Sequence, residues 1–341
     1  MQYKREEVRD MNLYGEILKK LEGTPCLALE RSFVGEEGNL KEGAEASEIG
    51  KEALTQGQPV CGRAGSSWNV AEPFFPKERL IILGGGHVAL PVAEFGARVG
   101  FLVTVVDDRL SFANPGRFPM AEKVICDDFG HAIKELKIQE SDYICIVTRG
   151  HRHDADCLRM IGKGKEPAYL GMIGSRRRVG IVKQELLEEG YDPERMSRLK
   201  SPIGLKIGGV TPEEIAISIL AEIIQVKRMD REDKRVKNRS DLDFDVLKRL
   251  AEEPDESKAV VTVIESKGSS PRGAGAKMIV YRDGRILGSI GGGCSEAAVL
   301  GEARSLIGSG RYKVVHVDLT GEAAEDEGMV CGGIMDVLVE D

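Results

Sequence analysis

Residues 79–89 read RLIILGGGHVA, an apolar run that leads directly into three glycines. The run is typical of a buried parallel strand, and the residues up to 100 have the apolar spacing of a helix. Gly84 and Gly86 fit G-x-G-x-x-A, and Asp107 ends the next apolar run. This order predicts a Rossmann-type fold in which Gly84 forms the turn, Gly86 lets a pyrophosphate approach and Asp107 binds a ribose. The alternative interpretation is a Rossmann fold that binds no nicotinamide cofactor.

Further apolar runs alternate with helical patterns downstream of this unit. They read FLVTVVDD, EKVIC, YICIVT and AYLGMIG. After them, Thr211 is the predicted N-cap of a further helix and Pro212 is its first residue. Such alternation is typical of an α/β fold with a parallel sheet. We therefore predict an α/β protein with a Rossmann-like domain and a smaller C-terminal α/β domain. The predicted limits are residues 1–76 for an N-terminal α/β segment, 77–228 for the Rossmann-like domain, 229–243 for a charged linker and 244–341 for the smaller domain.

Two loops after later strands carry candidate ligand contacts. His151 and Asp154 follow the fourth strand, and Gly174, Ser175 and Arg176 follow the fifth. Loops at the carboxyl ends of parallel strands line the binding crevice in such folds. Because no third metal ligand is evident near His151, the alternative there is a solvated loop. For Arg176 we favour phosphate binding over a solvated basic helix face.

A second glycine-rich motif, GGGCSE, covers residues 291–296, and CGG follows at 331–333. Residues after Cys294 have helical spacing, which places Cys294 near a helix N-terminus where a thiolate is stabilised. The motif predicts chemistry on a phosphorylated or metal-bearing ligand, or else a tight turn with a buried cysteine. Arg272, in the loop SSPRGAG, is expected to point outward from a strand-entry turn.

The amino-acid composition argues against several classes of protein. The net charge is −8 and the pI is about 5.4, which argues against nucleic-acid and anionic-membrane partners. The seven cysteines form no CxxC pair, so we expect neither a disulfide framework nor a cysteine zinc site. The first residues lack the apolar core of a signal peptide, and no run has the length of a membrane span. We expect a cytoplasmic protein.

Several motifs together resemble the XdhC/CoxI family of molybdenum-hydroxylase maturation factors. They read ESKGSSPRGAGAKMIV, LGSIGGGCSEAAV and GMVCGG in the C-terminal domain, and EPFFPKERLIILGGGHVA, YLGMIGSRRR and PIGLKIGGVTPEEIAISILAEII before it. The resemblance implies a chaperone that binds the molybdenum cofactor, as molybdopterin or its dinucleotide form. It would assist sulfuration of that cofactor and its insertion into xanthine dehydrogenase-type enzymes. The implied partners are an apo molybdenum hydroxylase and a cysteine desulfurase.

The resemblance also implies roles for particular residues. Cys294 and Cys331 would handle the ligand or its sulfur together with Glu296, and Cys294 would bind the molybdenum of the cofactor. The predicted cofactor-binding residues are Gly84, Gly86, His87, Asp107, His151, Asp154, Gly174, Ser175, Arg176, Arg272, Gly291, Gly292 and Gly293.

The order of the domains departs from the family, in which the glycine–cysteine domain usually comes first. The arrangement resembles a circular permutation. We expect a homodimer, and exchange of a domain between its two chains is one way to form it.

Two other functions stay open. One is an NAD(P)-dependent oxidoreductase acting on a thiol or metal centre, with His151 as its best acid–base candidate. The other is a redox regulator that uses Cys294 and Cys331.

Overall fold

The computed structural model describes residues 13–39, 48–229, 238–319 and 333–341. The chain divides into two compact units. One unit comprises Lys77–Arg235, and the other combines Met1–Pro76 with Val236–Asp341. The second unit is therefore discontinuous in sequence, because the first is inserted between its two parts.

A five-stranded parallel sheet forms the centre of the Lys77–Arg235 unit. Its strands, in the spatial order β7-β6-β5-β8-β9, are β5 (Arg79–Leu83), β6 (Leu102–Asp107), β7 (Lys123–Cys126), β8 (Tyr143–Ile146) and β9 (Tyr169–Met172). All five coincide with predicted strands, so the predicted parallel sheet is confirmed. Leu80–Leu83 in the central strand are fully buried, which explains the continuous apolar run in the sequence.

Helices cover both faces of this sheet. They are α3 (Ala89–Arg98), α4 (Phe129–Leu136), α5 (His151–Gly162), α6 (Arg176–Glu188), α7 (Pro193–Arg198) and α8 (Pro212–Met229). Leu80 and Ile82 pack in one core with α3 and α8, whereas Ile81 and Leu83 pack in the other with α4, α5 and α6. The predicted start of α8 is confirmed, because the Glu214 N–H donates to Thr211 Oγ1 over 3.3 Å.

The other unit contains a six-stranded antiparallel sheet, in the order β12-β11-β10-β14-β13-β2. Its strands are β2 (Glu37–Asn39), β10 (Lys258–Gly268), β11 (Lys277–Tyr281), β12 (Ile286–Gly288), β13 (Arg311–Asp318) and β14 (Gly333–Glu340). Strand β2 comes from the N-terminal part of the chain and pairs with β13. Together with its helices, this sheet confirms a second α/β domain beside the Rossmann-type one.

The N-terminal part adds a small antiparallel sheet of order β1-β4-β3. Its strands are β1 (Leu27–Val34), β3 (Val60–Ala64) and β4 (Ser67–Phe74), and the helices of this unit are α1 (Leu13–Leu21), α2 (Glu48–Gln56), α9 (Phe244–Glu252) and α10 (Gly293–Leu306). Val299 and Ala303 of α10 are fully buried in the core that lines the six-stranded sheet.

A buried ionic cluster joins the two sheets of this unit. Arg31 in β1 pairs with Glu72 in β4 and with Glu340 in β14. Lys277 Nζ lies 2.6 Å from Glu72 Oε2 and 2.8 Å from Thr262 Oγ1. Burial opposes the charge on Glu72, but Lys277 and Arg31 outweigh it and hold the pKa of Glu72 at about 2. The N-terminal strands are thus tied to the C-terminal sheet by charges that are costly to unpair.

Candidate functional site

The loop between β5 and α3 contains glycines in two different situations. Gly84 has a φ of +115°, and a Cβ on it would lie 2.5 Å from the carbonyl oxygen of Val147. A Cβ on Gly85 would lie 2.6 Å from the carbonyl oxygen of Phe112. A Cβ on Gly86, in contrast, would meet nothing within 4 Å. The first two glycines allow close packing of the chain itself, and only Gly86 leaves open space.

The helix that follows this loop begins without a side-chain cap. Its N-cap residue is Val88, which makes no side-chain hydrogen bond to the first turn, and His87 before it is exposed. The first amides of an α-helix have no intrahelical acceptor, and they form the positive end of the helix dipole. The start of α3 can therefore accept an anion beside the open side of Gly86.

Asp107, at the end of β6, is engaged with the glycine loop. Its buried carboxylate accepts the Gly85 N–H at 2.8 Å, the Arg109 N–H at 3.0 Å and Arg109 Nε at 2.9 Å. Burial opposes the charge on Asp107, but the hydrogen bonds from Arg109 and Gly85 outweigh it, so its pKa lies below the ordinary value. The predicted ribose-binding acid thus holds the loop in place.

Further charged groups surround the carboxyl end of β5. Arg149 Nη1 and Nη2 lie 2.6 and 2.9 Å from the two carboxylate oxygens of Asp108. Because β5 lies between β6 and β8, this ion pair reaches across the end of β5. Arg117 Nη2 donates to the Gly86 carbonyl over 3.3 Å.

Asp154, in the first turn of α5, is fully buried. It accepts a hydrogen bond from the Thr148 hydroxyl and pairs with Arg178 of α6. Burial raises the pKa of Asp154 above its ordinary value, and Thr148 and Arg178 only partly oppose this shift. The predicted ligand contact Asp154 therefore links α5 to α6. His151 begins α5, and its side chain lies outside the described part of the structure.

The loop after β9 presents the remaining candidates of this unit. Ser175 caps α6, with its Oγ accepting the Arg178 N–H at 3.3 Å, and Arg176 is exposed as the first residue of the helix. The structure brings nine predicted residues to the carboxyl edge of one sheet: Gly84, Gly86, His87, Asp107, His151, Asp154, Gly174, Ser175 and Arg176. Their joint role in binding stays a prediction.

The second glycine-rich loop leads into α10, in the other unit. Gly291 has a φ of +133°, and a Cβ on it would lie 2.4 Å from Cγ of Pro271. Gly292 has a φ of +70°, and a Cβ on it would meet nothing within 4 Å. Gly293 begins α10 and Cys294 is its second residue, as predicted from the spacing. The Cys294 side chain, Cys331 and Gly332 lie outside the described residues.

Glu296 folds back onto the loop that precedes its own helix. Its Oε1 accepts hydrogen bonds from Ser289 Oγ at 2.6 Å, from the Gly292 N–H at 3.0 Å and from the Ile290 N–H at 3.3 Å. The carboxylate thus bonds two amides of the loop before α10 and places a negative charge close to the positive end of the helix. We expected Glu296 to act in chemistry, and the structure places it as a cap of the glycine–cysteine loop.

Three motifs that are distant in sequence meet around this loop. The ring of Pro271 lies against Gly291, and a Cβ on Gly333 would lie 2.6 Å from the Ser270 amide nitrogen. Arg272, expected to point outward, donates to Asp241 Oδ2 over 2.7 Å. Asp241 falls within the predicted charged linker, so the end of that linker packs on the motif loop.

Sequence reasoning missed the charged groups around the Rossmann glycines. These are Asp108, Arg109 and Arg117. Asp108 and Arg109 come directly after the end of β6, and that position is the signal that identifies them. No signal marks Arg117, because its approach to Gly86 depends on the path of the loop between β6 and β7.

Two findings concern only the described residues. No three histidine, cysteine, aspartate or glutamate side chains among them come close enough to hold a metal ion. Nor is any helix there both long and apolar enough to cross a membrane.

Two family models match the chain. Residues 80–223 match the model described as XdhC Rossmann domain, and residues 251–318 match that of the XdhC and CoxI family. The matches coincide with the parallel-sheet unit and with most of the six-stranded sheet, respectively.

Curated relatives agree with these matches. The chain is 36% identical over 168 residues to YqeB, an uncharacterised protein of Escherichia coli, and covers 30% of its length. It is 34% identical over 153 residues to a probable xanthine dehydrogenase subunit of Bacillus subtilis, covering 44% of it. It is also 40% identical over 74 residues to PaoD, a molybdenum cofactor insertion chaperone of Escherichia coli, covering 23%. These alignments cover 49%, 45% and 22% of the present chain, so each spans less than half of either protein.

A solved structure is also similar. It is a xanthine dehydrogenase from Bacillus halodurans, 27% identical, with a TM-score of 0.47 and an alignment that covers 62% of each chain. The two family models together match well over half of the present chain, in both of its units. The motifs of the sequence analysis lie in or beside the matched ranges, and on this basis the chain belongs to the XdhC and CoxI family.

Proposed function

We propose that this protein is a maturation factor that carries the molybdenum cofactor as its cargo and helps to supply it to a xanthine dehydrogenase-type molybdenum hydroxylase. Support comes from the family and from the relatives that are named a molybdenum cofactor insertion chaperone and a probable xanthine dehydrogenase subunit. The role is binding, protection and delivery, and it needs no turnover.

The observation that carries the proposal is the open start of α3. Pterin and nucleotide forms of the cofactor all bear phosphate, and phosphate binds where free helix amides meet a backbone without side chains. Gly86 leaves that approach free, and Val88 supplies no competing cap. Arg176, exposed at the start of α6 on the same sheet edge, adds positive charge. We assign the phosphate of the cargo to this edge.

In the other unit, we propose the glycine–cysteine loop as a binding site for molybdenum or for a transferable sulfur. Thiolates are soft ligands that suit a thiophilic metal or a transferable sulfur. Gly292 leaves open space beside the start of α10, where Cys294 stands, and Gly333 is the last residue of the Cys331 motif. Glu296 accepts the Gly292 N–H and so holds the loop in the shape that leaves this open space.

The finer parts of the proposal follow from the family resemblance. The protein would assist sulfuration of the cofactor with a cysteine desulfurase as sulfur source, act as a homodimer and work in the cytoplasm. We also propose the four segments predicted from the sequence, which are residues 1–76, 77–228, 229–243 and 244–341.

Cofactor retention tests the proposal directly. Anaerobically purified protein is loaded with free molybdenum cofactor, desalted, and assayed for molybdenum by mass spectrometry and for pterin by fluorescence after oxidation. We expect stoichiometric retention by the wild type, loss of molybdenum in Cys294→Ala, and unchanged retention in Cys126→Ala, an exposed cysteine on the other unit. No retention by the wild type would refute the proposal, and equal retention by Cys294→Ala would refute the metal assignment.

The phosphate assignment has its own pair of variants. Gly86→Val fills the open approach, whereas Gly301→Val adds the same side chain at another open glycine, inside α10. We expect only Gly86→Val to lose pterin in the same assay. Equal pterin retention by both variants would move the phosphate away from α3.

An NAD(P)-dependent oxidoreductase is the second candidate, favoured by the glycine fingerprint after β5. Ribose binding by Asp107 would have to replace its bonds to Gly85 and Arg109, and we therefore rank it second. Titration with NADH separates the two, since this candidate requires saturable binding followed by oxidation in the presence of a thiol or metal acceptor.

A further inference from the structure

Arg117, in the loop between β6 and β7, lies beside the open glycine of the loop before α3. Its Nη2 donates to the Gly86 carbonyl over 3.3 Å. A Cβ on Gly86 would meet nothing within 4 Å, so the space into which a side chain would point there is open. Arg117 therefore brings a positive charge to the part of this loop that leaves room for a ligand.

The loop that carries Arg117 is fixed on both sides of this residue. Phe118, which follows it, is 1% exposed and packs in the core of the parallel sheet, and the Arg117 N–H donates to the Asn114 carbonyl over 2.9 Å. The guanidinium carbon lies 5.5 Å from the ring centre of Phe112 and 5.7 Å from that of Phe118. Aromatic rings contact the flat face of a guanidinium and consume none of the N–H donors at its edge. The loop thus positions the side chain without using its donors.

Arg117 makes few hydrogen bonds for a half-buried arginine. Of its five N–H groups, one has an acceptor among the described residues, and its buried Nε has no hydrogen-bond partner there. Three other arginines at the same edge of the sheet pair with aspartates: Arg109 with Asp107, Arg149 with Asp108 and Arg178 with Asp154. Within the described parts of the chain, Arg117 forms no such pair. A half-buried cation of this kind is expected to bind an anion from outside the chain.

We propose that Arg117 binds the phosphate of the cargo beside Gly86, an inference that rests on the proposed function. The first amides of α3 donate to the phosphate, and the guanidinium adds charged donors to the same group. Arginine suits this position because its planar fork can donate two N–H groups to two phosphate oxygens. The bound phosphate also supplies the acceptor and the negative charge that Arg117 lacks among the described residues.

Inorganic pyrophosphate is the probe, and calorimetric titration of the full chain measures its dissociation constant. We expect Arg117→Gln to raise that constant at least ~10-fold, because hydrogen bonds from a charged group are lost. Arg117→Lys keeps the charge but not the planar fork, and it should raise the constant about threefold. Arg98→Gln is the matched control, since it removes the same charge from an exposed residue at the opposite end of α3 and should change nothing.

Salt dependence separates direct binding from a role in shaping the loop. Added salt screens each charged contact, so the affinity of Arg117→Gln for pyrophosphate should fall less steeply with sodium chloride than that of the wild type. Weaker binding with an unchanged salt dependence would mean that Arg117 only supports the Gly86 carbonyl, and it would overturn the proposal. Circular dichroism verifies that each variant is folded, and Arg117→Lys provides the same comparison if Arg117→Gln does not fold.

The cofactor-retention assay keeps this proposal apart from the proposed function. We expect Arg117→Gln to lose pterin and Arg98→Gln to retain it. A wild type that binds pyrophosphate through Arg117 but retains no cofactor would confirm Arg117 as a phosphate-binding residue and refute the proposed function. Pyrophosphate binding by Arg117→Gln as tight as that of the wild type overturns the role of Arg117, whether or not cofactor is retained, and so does a wild type that binds no pyrophosphate.

Discussion

The loops that lead into α3 and α10 look alike in sequence, but only the loop before α10 is bonded to a carboxylate of its own helix. At α3 the N-cap is Val88 and no side chain bonds to the first turn. At α10 the Gly292 N–H already donates to Glu296 at 3.0 Å. Neither helix has a side-chain hydrogen bond at its N-cap, but at α10 a carboxylate already lies close to the helix start. That charge competes with a foreign anion for the positive end of the helix dipole, so a glycine-rich turn before a helix is not sufficient for an anion site.

The glycines themselves divide in the same way within each loop. Gly84 and Gly291 are enclosed, while Gly86 and Gly292 face open space. The obstacles differ in stiffness, because Gly84 abuts backbone at Val147 and Gly291 abuts the ring of a loop proline. The α3 loop should thus tolerate change at its enclosed glycine less well than the α10 loop.

The largest effect that we predict concerns Gly84→Ala. Its Cβ would lie 2.5 Å from a backbone oxygen at a φ of +115°, and we expect a loss of about 3 kcal/mol in the free energy of unfolding. Gly86→Ala is the control, and we expect it to change stability by less than about 1 kcal/mol. Urea unfolding followed by circular dichroism measures both. Equal stability of the two variants would contradict the division of the glycines.

Each loop is also held by a carboxylate, and Asp107 provides the next test. We expect Asp107→Asn to lower the free energy of unfolding by about 2 kcal/mol at neutral pH, because the buried charge bonds to Gly85 and Arg109. Since the pKa of Asp107 is lowered in the folded protein, its contribution is complete above the ordinary value of 3.8. The contribution of Asp107 to the free energy of unfolding disappears as the pH falls through its lower pKa in the folded protein. Urea unfolding at several pH values should therefore show the two proteins converging in acid, and a difference that persists there would contradict this account.

The corresponding carboxylate at α10 should matter less, because it is a cap on a half-buried loop. We expect Glu296→Ala to cost about 1 kcal/mol. Trp68, the only tryptophan, is buried in β4 of the same unit, so its fluorescence during unfolding reports on this unit. Glu302→Ala, on the same helix in an ion pair with Lys313, is the control and should cost less than about 0.5 kcal/mol. A larger loss in the control would refute the capping role.

The fold of the Rossmann-type unit could be predicted because its signals are local. Each strand from β5 to β9 is a short apolar run, and Thr211 with Pro212 marks the start of α8. The pairing of β2 with β13 could not be predicted, since it joins residues about 275 positions apart and nothing local in the segment Glu37–Asn39 specifies a partner.

The candidate site was predicted by position more reliably than by role. Cys294 stands in the first turn of α10, as its spacing indicated. Asp107 and Glu296 instead use their carboxylates on the loops themselves, and Asp154 joins Thr148 to Arg178. A motif shows which residue types are near one another, but the hydrogen bonds that occupy a carboxylate depend on side chains from other segments.

The smallest effect that we predict tests whether an anion binds at the start of α3. Asp108 holds Arg149 across the carboxyl end of β5, and Asp108→Asn would release that guanidinium to an arriving anion. We expect inorganic pyrophosphate to bind about threefold more tightly, as measured by calorimetry, since an exposed ion pair contributes little. The gain should shrink as salt is added. Asp283→Asn, which breaks an exposed pair with Arg285 in the other unit, should leave the affinity unchanged. An Asp108→Asn variant without any gain in affinity would mean that Arg149 does not face the anion, and the open start of α3 would then bind the anion without this guanidinium.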